Sequence, residues 1–221
     1  MSVPVLPRTP VRPPYDAELC ALLVNSPPPA TVTADLIESL RAVPFTAPIE
    51  EVLSTRALDH RVVTVPGAEG ELTASVFTPR GKATSGAGIY FLHGGGMIIG
   101  DRFTGIENIL DGAQEHATVV VTLDYRLAAE HPDPAPVEDA YAGFVWTAAH
   151  AAHADELGID PGRLLIAGTS AGGGLAAGVA LLCQRPCRSP RRRPGVRPAG
   201  GRRDVPGGGQ IIPRPRVIRV S

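Results

Sequence analysis

No apolar run in this 221-residue chain approaches the ~20 residues that a membrane-crossing helix needs. The longest, Gly88-Ile89-Tyr90-Phe91-Leu92 and Val119-Val120-Val121, have the size of buried strands. A cleaved secretory signal is not expected either, because Met1-Ser2-Val3-Pro4-Val5-Leu6-Pro7 places prolines where a signal needs a continuous apolar helix. Cysteine is scarce: Cys20, Cys183 and Cys187 make no disulfide framework. Cys183-x-x-x-Cys187 is followed by no His or Cys that could complete a zinc site. The expectation is a reduced, cytoplasmic setting with no metal and no cofactor.

An excess of either charge is also lacking overall, since 21 Lys plus Arg face 22 Asp plus Glu, net −1. The whole-chain figure therefore gives no steering toward nucleic acid or anionic membrane. It conceals a division. Residues 1–182 carry net −11, whereas residues 183–221 carry net +10, with eleven Arg and the single acid Asp204. That second segment has no Leu, no aromatic residue and no Lys, and Arg, Pro and Gly make up 24 of its 39 residues.

What is present before it has order. Residues 1–14 hold five prolines and read as a loose arm, because Pro fixes its backbone and donates no hydrogen bond. Residues 15–55 form an N-terminal region with two short amphipathic helices, Tyr15–Asn25 and Thr33–Val43, separated by Pro27-Pro28-Pro29, with Asp35 signalling the start of the second. Residues 56–183 form the core. It opens with a hairpin of Arg61–Val65 and Leu72–Phe77, turning at Pro66-Gly67. Strands at Ile89–Leu92, Thr118–Tyr125 and Leu164–Gly168 then alternate with helices at Ile106–His116, Val137–Ala154 and Ala171–Cys183. Such alternation predicts an α/β fold with a mostly parallel sheet covered on both faces. Residues 184–221 have no folding pattern and read as a disordered tail.

Two glycine-rich segments carry the chemistry. Gly168-Thr169-Ser170-Ala171-Gly172 lies between a buried strand and a helix, the setting in which a tight turn exposes a serine hydroxyl. His93-Gly94-Gly95-Gly96 follows another strand, and its glycines allow main-chain N–H groups to approach a developing oxyanion without obstruction. Each alone can be a plain Gly-rich turn; the pair in this order is specific.

With these segments, and with Asp124-Tyr125-Arg126-Leu127-Ala128-Ala129-Glu130-His131-Pro132 followed by Glu138-Asp139, residues 15–183 resemble the hormone-sensitive-lipase-like family of α/β-hydrolase esterases and lipases. The resemblance implies an α/β-hydrolase with an antiparallel N-terminal hairpin and a helical cap over an acyl pocket. It implies Ser170 as nucleophile, the N–H groups of Gly95, Gly96 and Ala171 as oxyanion donors, and a small or medium uncharged acyl ester as substrate. Met97 stands where the family usually has an aromatic or bulkier apolar residue, and Ala129 where it often has Pro.

One departure touches the chemistry. The family's triad runs Ser, then Asp or Glu, then His, yet the last histidine here is His153 and none follows Ser170. A serine without an imidazole to take its proton is a poor nucleophile, so impaired turnover is expected. Asp204 lacks a neighbouring strand pattern and is not read as a triad member. Among the upstream histidines, His93 is read as orienting the glycine loop, and His131 as a turn residue. His150 and His153, with Asp155 and Glu156, are read as a solvated helix end rather than a metal site. Asp124, Glu130, Asp133, Glu138 and Asp139 are read as loop-holding carboxylates rather than paired acid and base catalysts.

Three readings of the tail stand together. Arg191-Arg192-Arg193 suggests a nucleic-acid or targeting arm, against which the absence of stacking aromatics counts. A solvating tail is the second. The preferred third is that the chain leaves its ancestral reading frame near Cys183, because Arg, Pro, Gly and Ala are what a GC-rich gene yields out of frame. The strands and helices expected after Leu164–Gly168 would then be missing, leaving that strand as a bare edge with poor solubility. A non-catalytic binding protein using the cap pocket or the Arg-rich tail is the alternative function. Composition and motifs leave the oligomeric state open.

Overall fold

Period-two burial turns the apolar runs into a doubly covered sheet in the computed structural model, which describes residues 14–25, 31–81, 83–153, 156–184 and 216–217. In chain order the elements are α1 (Ala17–Asn25), α2 (Ala34–Arg41), α3 (Ile49–Ser54), β1 (Leu58–Gly67), β2 (Gly70–Pro79), β3 (Gly88–Leu92), α4 (Glu107–Glu115), β4 (Val119–Leu123), α5 (Ala135–His150), β5 (Leu164–Gly168), α6 (Ala171–Gln184) and β6 (Arg216–Val217). The sheet order is β1-β2-β4-β3-β5-β6. β1 and β2 form an antiparallel hairpin, β2 pairs antiparallel with β4, and β4, β3, β5 and β6 run parallel.

Neighbouring residues in β3 and β4 face opposite layers. Tyr90, Leu92, Val121 and Leu123 join Phe144 of α5 and Leu175 and Val179 of α6 in one core. Phe91 and Val120 join Leu110 and Ala113 of α4, together with Ile49 and Val52 of α3, in the other. Because side chains alternate across a strand, a run with no polar interruption can satisfy both layers at once.

Several boundaries differ from the sequence reading. The hairpin strands continue through Pro66 and Gly67, and Gly67 pairs with Gly70, so the turn falls at Ala68-Glu69. α1 begins at Ala17 because the Asp16 carboxylate accepts the Glu18 N–H at 2.9 Å, a cap the periodicity did not weigh. α5 stops at His150 rather than Ala154. The six-residue α3 was not foreseen; it is too short for periodicity, yet it buries Ile49 and Val52. α1 buries none of its side chains and leaves Leu19 and Leu22 exposed, whereas α3 buries Ile49 and Val52.

The expected bare edge at β5 is also corrected. Arg216 and Val217 add a short parallel strand along Leu165 and Ile166. Gln184, read as the start of the disordered tail, instead ends α6, and residues 185–215 and 218–221, including Arg191–Arg193, Asp204 and Cys187, lie outside the described residues.

Strand order also locates the site. The chain leaves β3 for β4 on one side and returns to β5 on the other, so the connection direction reverses between β3 and β5. In an open α/β sheet the crevice beyond the carboxyl ends of strands at such a reversal is where ligands bind. The loops that leave β3 and β5 there are His93–Gly100 and Thr169-Ser170.

Candidate active site

Leu92 and Gly168 are register partners at the ends of β3 and β5, and Thr169 N–H donates to the Leu92 carbonyl at 3.2 Å. The two motifs, 77 residues apart in sequence, are thereby side by side. Ser170 has φ 54°, a left-handed conformation that a residue with a side chain rarely adopts. It is exposed, and among the described residues its hydroxyl has no hydrogen-bond partner. Ala171 opens α6, so its N–H has no intrahelical acceptor.

The flanking glycines are obligatory for steric reasons. A methyl group on Gly172 would strike the main-chain carbonyls of Leu92 and His93, and one on Gly168 would strike the Gly172 carbonyl. These contacts are backbone against backbone, which no rotamer change relieves. Helix α6 therefore meets the sheet at its closest approach, with Ser170 at the bend.

The opposite wall is the loop after β3. Gly95, Gly96 and Met97 have φ 112°, 63° and 63°. Ile98 and Ile99 N–H close the turn on the Gly95 carbonyl at 3.1 and 3.0 Å. Among the described residues, the N–H groups of Gly95 and Gly96 donate to no other group. His93 is buried, stacks on Tyr125 with ring centroids 4.2 Å apart, and places Nδ1 2.6 Å from the Gly94 carbonyl. A carbonyl only accepts, so Nδ1 carries the proton. Burial lowers the pKa of His93, partly offset by the Gly94 carbonyl and by Asp124 and Asp101, which favours the neutral ring. Tyr125 Oη donates to the His93 carbonyl at 2.9 Å, and burial raises the pKa of its phenol.

Two of the carboxylates singled out in the sequence, Asp139 and Asp124, are tied to Arg126 and Arg102. Asp139 is fully buried and accepts from the Arg126 N–H at 3.0 Å and from its guanidinium at 2.7 and 2.9 Å. Asp124 accepts from the Arg102 N–H at 2.7 Å and pairs with its guanidinium. Glu130 pairs with Arg41 of α2, which the sequence reading did not select. His131 is exposed in the 128–131 turn. His150 ends α5, its Nδ1 2.7 Å from the Trp146 carbonyl, and His153 lies 3.3 Å from Glu156. Asp155 lies outside the described residues. Among those described, no three His, Cys, Asp or Glu side chains converge as a metal site.

A cleft of about 430 Å³ lies between the α2–α3 connection and the 100–104 loop, with Phe45, Ile49, Phe103 and Leu127 in its walls. Ser170 does not line it. Its neighbour in the site is Gly100, which packs against His93 and the Gly94 carbonyl. No helix among the described residues is long and apolar enough to cross a membrane.

The fold and the loop arrangement have known counterparts. The family pattern of the α/β-hydrolase fold matches residues 89–197, which include both glycine motifs and extend past Cys183. Over 181 residues, 80% of the chain, it is 33% identical to carboxylesterase NlhH of Mycobacterium tuberculosis, covering 54% of that protein. This chain belongs to the hormone-sensitive-lipase-like α/β-hydrolase family. Within the family it is also 42% identical over 131 residues to the M. tuberculosis carboxylic ester hydrolase LipN, a match that takes in 59% of the chain and 34% of that relative. A solved esterase from Pyrobaculum calidifontis superposes with TM-score 0.63 at 32% identity, over 77% of this chain and 54% of that one. This α/β-hydrolase chain spans about half the length of such relatives, or less.

Proposed function

We propose that the chain carries the nucleophile and oxyanion half of a serine carboxylic ester hydrolase, acting on small uncharged acyl esters in the cytoplasm. The observation that supports this most is Ser170 at positive φ, exposed at the head of α6 and facing the His93-Gly94-Gly95-Gly96 loop. In this reading Ser170 Oγ attacks the ester carbonyl carbon. The new C–O bond forms as the carbonyl π pair moves onto oxygen, and the oxyanion is held by the N–H groups of Gly95, Gly96 and Ala171. Collapse breaks the bond to the alkoxide, which leaves with a proton as alcohol. Water then releases the acid from the acyl-serine. His93 serves the loop rather than the proton, since its Nδ1–H is engaged by Gly94 and its ring is buried.

No histidine follows Ser170 in residues 171–221, so with these residues alone the serine proton would pass to water. Hydrolysis is then expected at only ~10³–10⁴-fold above the uncatalysed rate, the residue left to oxyanion donors and binding alone. The test is a nitrophenyl ester assay with fluorophosphonate labelling, each compared with Ser170→Ala. Labelling that persists in the alanine variant would remove Ser170 from the reading. Rapid turnover abolished by the same substitution would show that a base is supplied from another part of the chain.

A further inference from the structure

Arg41, the last residue of α2, ties two loops that lie 57 to 89 residues away. Its Nε donates to the Ile98 carbonyl at 2.8 Å, one terminal nitrogen donates to the Ala128 carbonyl at 2.8 Å, and the two terminal nitrogens clasp Glu130 at 2.8 and 2.9 Å. A planar guanidinium can serve three acceptors in one arrangement; an ammonium on a flexible stem cannot.

The loop it reaches needs holding. Three successive residues, Gly95 to Met97, have positive φ, and Met97 bears a side chain that opposes that conformation. Such a segment persists only where its surroundings over-determine it. Inside the loop the Gly95 carbonyl is the acceptor. Outside it, among the described residues, there are two anchors: the Ala128 N–H on the Met97 carbonyl at 2.8 Å, and Arg41 on the Ile98 carbonyl. Arg41 also grips Ala128 through its carbonyl, so it supports both anchors.

We propose that Arg41 is a positioning residue which couples docking of the N-terminal helical segment to the conformation of residues 95–98, and hence to the aim of their N–H groups. The role of those groups rests on the reading under Proposed function; the coupling itself does not. The segment before residue 56 then acts on the glycine loop as well as covering a cleft.

Two variants of the full chain separate this from a simple ion-pair tie. Arg41→Met keeps the aliphatic stem and removes every donor, whereas Glu130→Gln removes the ion pair and leaves Arg41 its two carbonyls. In Arg41→Met, amide exchange over residues 95–99 is expected to speed by about tenfold or more while β3, β4 and β5 keep their protection. The maximal rate of fluorophosphonate labelling should fall by about tenfold with the concentration for half-maximal labelling unchanged. Glu130→Gln should stay near wild type in both. Unchanged exchange at 95–99, acceleration spread evenly over the sheet, or equal effects of the two variants would each overturn the proposal. A wild-type chain that the probe never labels would sink the serine reading, and the exchange comparison would still decide Arg41.

Discussion

Gly94 stands against Ser170 so closely that a methyl group on it would lie 3.4 Å from the Ser170 Cβ and 3.1 Å from the Thr169 carbonyl oxygen. This contact joins the end of β3 to the bend after β5 and leaves a narrow space between the glycine loop and the serine. It also explains why the two motifs must be read together, since neither loop has its shape without the other as a wall.

Gly172→Ala tests that wall most directly. Its new methyl would meet the carbonyls of Leu92 and His93, neither of which can move without disturbing β3. A loss of about 3 kcal/mol in unfolding free energy is expected, at the upper end for overpacking. Urea denaturation measures it, and a change below about 0.5 kcal/mol would mean α6 can retreat from the sheet at little cost.

Ser170 should show a conflict between conformation and chemistry. Ser170→Gly relieves the strain of φ 54° and is expected to stabilise the chain by about 1 kcal/mol. Ser170→Ala retains the strain and should melt like wild type. Both should lose fluorophosphonate labelling. Equal melting temperatures for the glycine and alanine variants would argue that the bend stores no strain.

Asp139 holds Arg126 through a main-chain N–H and a two-pronged guanidinium contact while itself fully buried. Asp139→Asn removes the charge and leaves a guanidinium beside a neutral amide. The melting temperature is expected to fall by about 10 °C, because breaking one side of a buried pair costs more than the pair itself contributes. Calorimetry on the variant decides this, and an unshifted transition would demote the contact to a surface tie.

Stability should also depend on pH through two histidines. Burial lowers the pKa of His93, and burial with the nearby Arg102 lowers that of His60, whose Nε2 lies 2.9 Å from Ser75 Oγ. The unfolded chain therefore binds protons at these sites more readily than the folded one. Their contribution is fully present above the ordinary histidine pKa of about 6.5 and is lost as pH falls below it. Denaturation midpoints should drop between about pH 7.5 and 5.5. Replacing His60 with Gln should flatten part of that slope; an unaltered slope in the variant would exclude His60 as a contributor.

Much of the parallel sheet was legible before any coordinates. Leu164–Gly168 was read with its observed ends, and the helix after Ser170 with its observed start, because a short apolar run closed by a Gly-x-Ser-x-Gly turn signals both. The turn at Ala68-Glu69 was misplaced because Pro66-Gly67 has stronger turn character, and cross-strand pairing overrode it. α3 escaped notice because six residues give too little period, and its two apolar side chains acquire meaning only once α4 packs beside them.

Local chemistry was thus determined along the chain: alternation of apolar runs chose strands and helices, and glycines marked where backbone had to pass close to backbone. The neighbours were decided in three dimensions. Arg41 reads as an ordinary basic residue at a helix end, and its bonds to Ile98, Ala128 and Glu130 exist because the sheet brings the β3 and β4 loops under α2. The positive φ of Met97 and Ser170 likewise has no residue signature. It is imposed by loop closure against groups distant in sequence, an effect that only the packed molecule contains.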